Sequence, residues 1–141
     1  MGRVLGVDLG ERRIGLALTD PGRTFASPLA TIPFVSERKT AERLAQLCRE
    51  HGADHVVVGL PRRDDGTEGA NCARSRRIVD RLVALDVSAE PWDESWSTRD
   101  AAAALQGAGG SRASVRRRID QVAAAIVLRD WMEHRRAGAG R

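Results

Sequence analysis

Short apolar runs separated by polar turns open the chain. Residues 4–9 and 14–18 are apolar and flank a polar turn at residues 10–12, which is typical of two strands joined in a hairpin. Residues 24–32 follow a second turn and can form a third strand. Pro28 favours an edge position for that strand, because proline cannot donate a backbone hydrogen bond to a neighbour. The sequence therefore predicts an antiparallel opening.

Beyond residue 36 the apolar positions change to helical spacing. Ser36 can cap a helix that runs through Glu50 and ends before Gly52. Its apolar face follows the i, i+3, i+4, i+7 pattern at Ala41, Leu44, Ala45 and Cys48. Residues 55–61 then form a β-branched run that suits a strand buried on both faces. We expect this strand to lie parallel to the first.

A second helix and strand follow. The apolar face of the helix carries Ile78, Val79, Leu82 and Leu85. Residues 87–92 form a short strand. Ser97 or Thr98 can cap a helix through Leu105, and a last helix is predicted over residues 114–136. The sum is an α/β domain with a mixed five-stranded sheet and helices on both faces. We place the domain at residues 1–136 and expect a disordered tail at 137–141.

Composition narrows the class of protein. The chain has 141 residues, of which 42% are hydrophobic and 30% charged, too short for two domains and too apolar for disorder. The longest strictly apolar run, residues 122–128, is far below the roughly 20 residues of a membrane-spanning helix. No signal-peptide pattern follows Met1. Cys48 and Cys72 lack zinc-site spacing. We therefore expect core thiols, a cytoplasmic protein and no membrane partner.

Positive charge is concentrated towards the C-terminal end. The formal net charge is +4, and residues 107–141 carry eight basic and three acidic side chains. Residues 1–106 carry 15 basic and 16 acidic side chains. This asymmetry favours a polyanionic partner such as nucleic acid, although a solvated basic face would show the same charge.

Three acidic residues have positions that suit a shared site. Asp8 and Glu94 follow strands whose carboxyl ends lie at one edge of the predicted sheet, where such folds bind ligands. Asp120 shares a helical line with Ala124 and Val127 that is too apolar to be simply solvated. Converging carboxylates repel one another unless Mg²⁺ or Mn²⁺ neutralises them. Two such ions would support attack of water at phosphorus, which is nuclease chemistry.

Each acid also has a simpler interpretation. The helix dipole favours Asp120 early in a helix whatever the function. Asp8 can be a turn residue beside Gly10, and Glu94 can end an exposed strand. The metal-site hypothesis therefore depends on the convergence of all three.

Four motifs resemble the YqgF/RuvX family in order and spacing. They are GVDLGERRIGLA at 6–17, VGLP at 58–61 with DGTEG at 65–69, WDESWST at 92–98, and IDQVAA at 119–124. The resemblance covers nearly the whole chain and implies a ribonuclease H-like fold related to RuvC resolvases, with strand order 3-2-1-4-5. It implies a bacterial, cytoplasmic nuclease that matures the 5′ end of pre-16S ribosomal RNA. A Holliday junction resolvase role is proposed for some members.

The resemblance also implies site residues. Asp8, Glu94 and Asp120 match the acidic triad of the family, so they would be both catalytic residues and ligands of two Mg²⁺ or Mn²⁺ ions. The same three acids were selected above from the strand ends and the helix.

Substrate contacts follow from the remaining matches. Arg13 matches the basic residue of the hairpin, Asp65 the loop after the fourth strand, and Thr98 the motif after Glu94. Ser95 stands where the family usually has arginine, so this chain lacks at that position a cation that could contact phosphate or support Glu94.

Arginines also surround Asp120. Arg112, Arg116, Arg117 and Arg118 flank it in sequence, and we expect some of them, Arg112, Arg116 and Arg117 first, to contact backbone phosphates. A solvated helix start is the alternative.

Other functions remain open at this stage. The Asp8-x-Gly10 hairpin also occurs in actin-like kinases and ATPases, but those proteins close two domains around a nucleotide and this chain supplies one. A non-catalytic RNA-binding or ribosome-assembly module would keep the triad as a structural metal site. Within the nuclease interpretation, structured RNA is preferred and branched DNA is the alternative. A resolvase would be a homodimer, and a processing nuclease could be a monomer.

Overall fold

A computed structural model of the chain describes residues 2–60, 70–93 and 112–139. The strands in these ranges are β1 Arg3–Leu9, β2 Arg13–Thr19, β3 Ala26–Pro33, β4 Ala53–Leu60 and β5 Ala89–Asp93. The helices are α1 Glu37–His51, α2 Ala70–Ala84 and α3 Arg112–Ala139.

The five strands form one sheet in the order β3-β2-β1-β4-β5. β1 pairs antiparallel with β2, and β2 with β3, whereas β1, β4 and β5 are parallel to one another. This order confirms the predicted sheet, and Pro28 lies on the edge strand as expected. Because β1, β4 and β5 are parallel, their carboxyl ends lie at the same edge of the sheet.

Two hydrophobic clusters lie on opposite faces of the sheet, which confirms helices on both. The first contains residues of α1 and α2 with alternate strand residues such as Leu5 and Val7, and the second contains residues of α3 with Val4 and Ala17. Strand side chains alternate between faces. Gly6 and Asp8 therefore face α3, on the same side as Val4.

Local sequence signals fix the ends of α1. The Oγ of Ser36 accepts a hydrogen bond from the Lys39 amide at 3.1 Å, so it caps the first turn. Gly52 ends the helix with a φ of 69°, a left-handed conformation that glycine adopts at little cost. Both caps agree with the sequence prediction.

Three predicted boundaries need correction or fall outside the described residues. α3 begins at Arg112 and continues to Ala139, so helix covers residues 137–139 of the predicted disordered tail. Two of these three residues are alanines, which favour helix, and the helix continues through Gly138 although glycine does not. Leu85, assigned to the apolar face of α2, lies beyond the end of that helix and is 48% exposed. The predicted helix over residues 98–105 lies outside the described part of the chain.

The described helices include none that is both long and apolar enough to cross a membrane. Cys48 and Cys72 are buried thiols, as predicted. Burial raises the pKa of Cys48 to about 11, because a thiolate would lose its hydration. Cys48 therefore packs as a neutral core side chain.

Candidate active site

Asp8 and Gly15 are direct neighbours on the two strands of the opening hairpin. Asp8 lies near the carboxyl end of β1, and its partner in the antiparallel register is Gly15 of β2. The Cα atoms of such a pair lie about 4.5–5.5 Å apart, and both side-chain positions face the same side of the sheet. For Asp8 and Gly15 that side is the one covered by α3.

Gly15 is the point where α3 approaches the hairpin. A Cβ added at Gly15 would lie 1.9 Å from the carbonyl oxygen of Asp120 and 2.9 Å from the Cβ of Asp120. No side chain fits in that space. The backbone of Asp120 therefore lies against the cross-strand partner of Asp8.

Gly6 extends this close approach along β1. A Cβ there would lie 2.5 Å from the Cγ of Leu128 and 3.0 Å from the carbonyl oxygen of Ala124. Ala124 and Leu128 are fully buried. Two strand glycines thus form a groove that sets the position of α3, and with it the position of Asp120.

Arg13 connects the hairpin to the same carboxylate. Its Nε donates a hydrogen bond to Oδ2 of Asp120 at 2.8 Å, and the two side chains are 39% and 14% exposed. The charge of the Asp120 carboxylate is therefore balanced in part by a cation from β2. The resemblance assigned Arg13 to substrate binding and gave no indication of this ion pair.

A small open hollow of about 290 Å³ lies at this position. It is lined by Gly10, Glu11, Arg12, Arg13 and Asp120. The lining comes from the hairpin turn on one side and α3 on the other, and two of its residues are arginines. Glu11 and Asp120 offset the two arginines, so the hollow has no net formal charge, and its polar lining suits a polar group better than an apolar ligand.

Glu94, the third predicted ligand, lies outside the described residues. It directly follows Asp93, the last residue of β5, which pairs with Leu60 at the carboxyl end of β4. The chain therefore leaves β5 at the edge of the sheet where Asp8 lies. The position of the Glu94 side chain stays a prediction.

The remaining predicted substrate contacts are described only in part. Asp65 and Thr98, together with Ser95, lie outside the described residues, as does the side chain of Arg112. Arg116 and Arg117 are exposed on the first turns of α3. The Arg117 carbonyl accepts a hydrogen bond from Oγ1 of Thr31 at 2.7 Å, so this end of the helix is attached to β3 while both arginine side chains face solvent.

The donor set is suited to a hard divalent cation. Asp8 and Asp120 supply carboxylate oxygens, which Mg²⁺ and Mn²⁺ prefer to nitrogen or sulfur. Within the described ranges, no three His, Cys, Asp or Glu side chains are grouped so as to hold a metal ion. Asp8 and Asp120 therefore stay candidate ligands, and the predicted triad depends on Glu94.

Sequence reasoning missed the glycine groove. Gly6 and Gly15 lie inside strands, where glycine weakens the strand unless another backbone approaches closely. That signal was available in the sequence, but it does not indicate which element approaches. Only the fold shows that the approaching backbone is that of Ala124 and Asp120.

Comparison with known proteins identifies the family. The sequence profile of RuvX, described as a Holliday junction resolvase, matches residues 2–134. The chain belongs to the RuvX family. A relative from Chloroflexus aggregans is 40% identical over 134 residues, which span 94% of both chains. A second, from Myxococcus xanthus, is 40% identical over 135 residues, spanning 95% of this chain and 89% of the relative.

Both RuvX relatives carry the name "Putative pre-16S rRNA nuclease". Among solved structures, Thermus thermophilus RuvC matches this chain with a TM-score of 0.56 at 15% identity, over 93% of this chain and 96% of that one. The likeness to RuvC confirms the ribonuclease H-like fold implied by the sequence motifs. Membership of the RuvX family confirms the resemblance on which that expectation was based.

Proposed function

We propose that this RuvX-family chain is a divalent-metal-dependent endonuclease that hydrolyses RNA phosphodiesters at the 5′ end of pre-16S ribosomal RNA. The observation that carries the proposal is the placement of Asp120 against Gly15, the cross-strand partner of Asp8. Asp120 lines a hollow together with Glu11, Arg12 and Arg13, and the proposal places the Asp8 carboxylate beside it.

Three residues would hold the metal. Asp8 and Asp120 supply oxygen ligands, and Glu94, the residue after β5, completes the set in this proposal. When bound, two Mg²⁺ or Mn²⁺ ions would activate a water and stabilise charge on the scissile phosphate. The groove of Gly6 and Gly15 seats α3 against the hairpin, and we expect it to keep the two aspartates close together before any ion binds.

The basic residues position the substrate backbone. Arg13 lines the hollow and can exchange its contact with Asp120 for one with a phosphate oxygen, since guanidinium groups bind both anions in the same geometry. Arg116 and Arg117 are exposed on the same helix as Asp120 and would contact more distant phosphates. We assign Asp65, Thr98 and Arg112 to further substrate contacts on the strength of their family motifs.

The names of the relatives favour ribosomal RNA as the substrate, and a cytoplasmic location follows from that substrate. Cleavage of a Holliday junction is the second candidate, because the family profile carries that description. The two functions use the same metal chemistry and differ in assembly, since a resolvase needs a symmetric dimer to cut two strands.

Cleavage assays separate these possibilities. Purified protein is incubated with a precursor of 16S ribosomal RNA and with a four-way DNA junction, each with Mg²⁺ or with EDTA, and its mass in solution is measured. We expect Mg²⁺-dependent cleavage of the RNA, lost in Asp8→Asn and Asp120→Asn. Asp80→Asn, which changes an exposed carboxylate on α2, is the matched control and should cleave normally.

Each other outcome identifies a different function. Cleavage of the junction by a dimer would favour the resolvase. Tight binding of RNA with cleavage of neither substrate would favour the non-catalytic module. Equal cleavage by wild type and Asp8→Asn would remove Asp8 from the mechanism.

A further inference from the structure

We propose that Arg74 of α2 is a positioning residue that holds the hairpin turn beside the candidate active site. The consequence for catalysis depends on the proposed nuclease function, but the contact itself does not. Arg74 belongs to a helix on the face of the sheet opposite α3. It would therefore act on the site through the hairpin turn and not by direct contact.

The first observation is a contact with the turn. Nη2 of Arg74 donates a hydrogen bond to the carbonyl oxygen of Gly10, 64 residues away in sequence. Gly10 lies between the strand that carries Asp8 and the strand that carries Arg13, and it lines the hollow. A hydrogen bond from a cation to a carbonyl is stronger than one between neutral groups.

The second observation is that the same turn is held at other points. The Gly10 amide donates to the Arg13 carbonyl at 2.8 Å, which closes the turn from within. The Phe34 amide donates to the Arg12 carbonyl at 2.9 Å. The turn is therefore fixed both to its own strands and to the segment that leads into α1.

Arg74 completes this arrangement through Phe34. The Arg74 guanidinium carbon lies 4.6 Å from the centre of the Phe34 ring, within the range of a cation–π contact. Arg74 therefore contacts the turn itself at Gly10 and also the neighbouring segment at Phe34, which is hydrogen-bonded to the turn. A lysine can reach a carbonyl but cannot place a flat cation on the ring while keeping the same hydrogen bond.

The third observation concerns the Nε atom of Arg74. The Nε of Arg74 is buried and has no hydrogen-bond partner among the described residues. A buried donor without a partner costs stability, and the contacts of the same guanidinium with Gly10 and Phe34 offset that cost. The described residues that line the hollow do not include Arg74, which favours an action through the turn over direct contact with substrate.

Arg77 supplies a matched control on the same helix. It lies one turn after Arg74 and forms a two-pronged ion pair with Glu37, with Nε–Oε1 and Nη2–Oε2 distances of 2.9 Å. Replacing Arg77 removes one arginine and one interhelical contact without touching the hairpin turn.

The test compares Arg74→Met, Arg74→Lys and Arg77→Met in the full chain. Amide hydrogen exchange at Gly10 is measured by NMR without metal, and kcat and KM are measured on the cleaved substrate. We expect Arg74→Met to accelerate exchange at Gly10 by about tenfold or more. We expect kcat to fall by about tenfold or more with little change in KM, because misplaced ligands slow the chemical step.

The other two variants make the result specific. Arg74→Lys should give intermediate values and keeps the test available if Arg74→Met does not fold. Arg77→Met should leave both Gly10 exchange and kcat at wild-type values.

Two outcomes would overturn the proposal. Unchanged Gly10 exchange in Arg74→Met and Arg74→Lys would show that Arg74 does not hold the turn, whatever the protein cleaves. Faster exchange with wild-type kcat would show that the turn does not matter for catalysis. If wild-type protein cleaved neither substrate, the nuclease function would fail, and Gly10 exchange would still decide whether Arg74 holds the turn.

Discussion

The Nε of Arg13 and Oδ2 of Asp120 lie 2.8 Å apart, joining the opening hairpin to the last helix across 107 residues of sequence. The pair forms where α3 rests on Gly15. A carboxylate that is a candidate metal ligand is therefore already partly neutralised by the protein. A divalent cation that binds here must compete with the guanidinium group for Oδ2 of Asp120.

A double-mutant cycle measures this competition. Arg13→Gln, Asp120→Asn and the double variant should give a coupling energy of about 1 kcal/mol in EDTA, because the pair is only partly buried. Saturating Mg²⁺ should reduce the coupling, since the ion takes the place of Arg13 at the carboxylate. Urea unfolding of the four proteins provides both values. A coupling that Mg²⁺ leaves unchanged would contradict a shared site.

Gly15→Ala tests the close approach of α3. The added Cβ would meet the Asp120 carbonyl at 1.9 Å, and backbone on both sides leaves no flexible group to move. We expect the free energy of unfolding to fall by about 3 kcal/mol. The variant protein that still folds should no longer cleave, because Asp120 moves away from Asp8.

Gly22→Ala is the control for this substitution. Its added Cβ would meet only the side-chain ends of Asp20 at 3.2 Å and Thr24 at 3.6 Å, so both stability and cleavage should stay near wild type. Wild-type stability and activity in Gly15→Ala would show that α3 is not seated on this glycine.

The ion pair of Glu37 and Arg77 should make stability depend on pH. The hydrogen bond from Arg77 holds the pKa of Glu37 below its usual value of 4.5. Because the folded-state pKa is the lower one, this stabilisation is present above the unfolded pKa and is lost as the pH falls through the folded pKa. Arg77→Met should lower the urea midpoint slightly at pH 7 and not at strongly acidic pH. An equal drop in the urea midpoint at both pH values would show that the ion pair of Glu37 and Arg77 does not stabilise the fold.

Much of the fold could be predicted because its signals are local. Ser36 and Gly52 mark the ends of α1 through side-chain and backbone preferences that require no knowledge of the rest of the chain. Pro28 indicates an edge strand for the same kind of reason. The strand order followed from the family motifs. Leu85 was misplaced because helical periodicity continues in sequence after the helix itself has ended.

The site was harder to predict because it depends on contacts between distant segments. The sequence identified Asp8 and Asp120 as candidates, and the fold places the backbone of Asp120 against Gly15, the cross-strand partner of Asp8. Neither the pairing of Arg13 with Asp120 nor the contact of Arg74 with Gly10 leaves a local pattern in the sequence. Such contacts are set by the packing of helices on the sheet, which propensity and periodicity do not specify.

Calorimetric titration with Mn²⁺ tests most directly whether the carboxylates share a cation, since it needs no substrate. Wild type and Asp80→Asn should bind the ion equally well. Asp8→Asn, Asp120→Asn and Glu94→Gln should each weaken binding by about tenfold or more, because every ligand lost removes a charged oxygen donor. Equal Mn²⁺ affinity in wild type, Asp8→Asn and Asp120→Asn would contradict a metal site at the junction of the hairpin and α3.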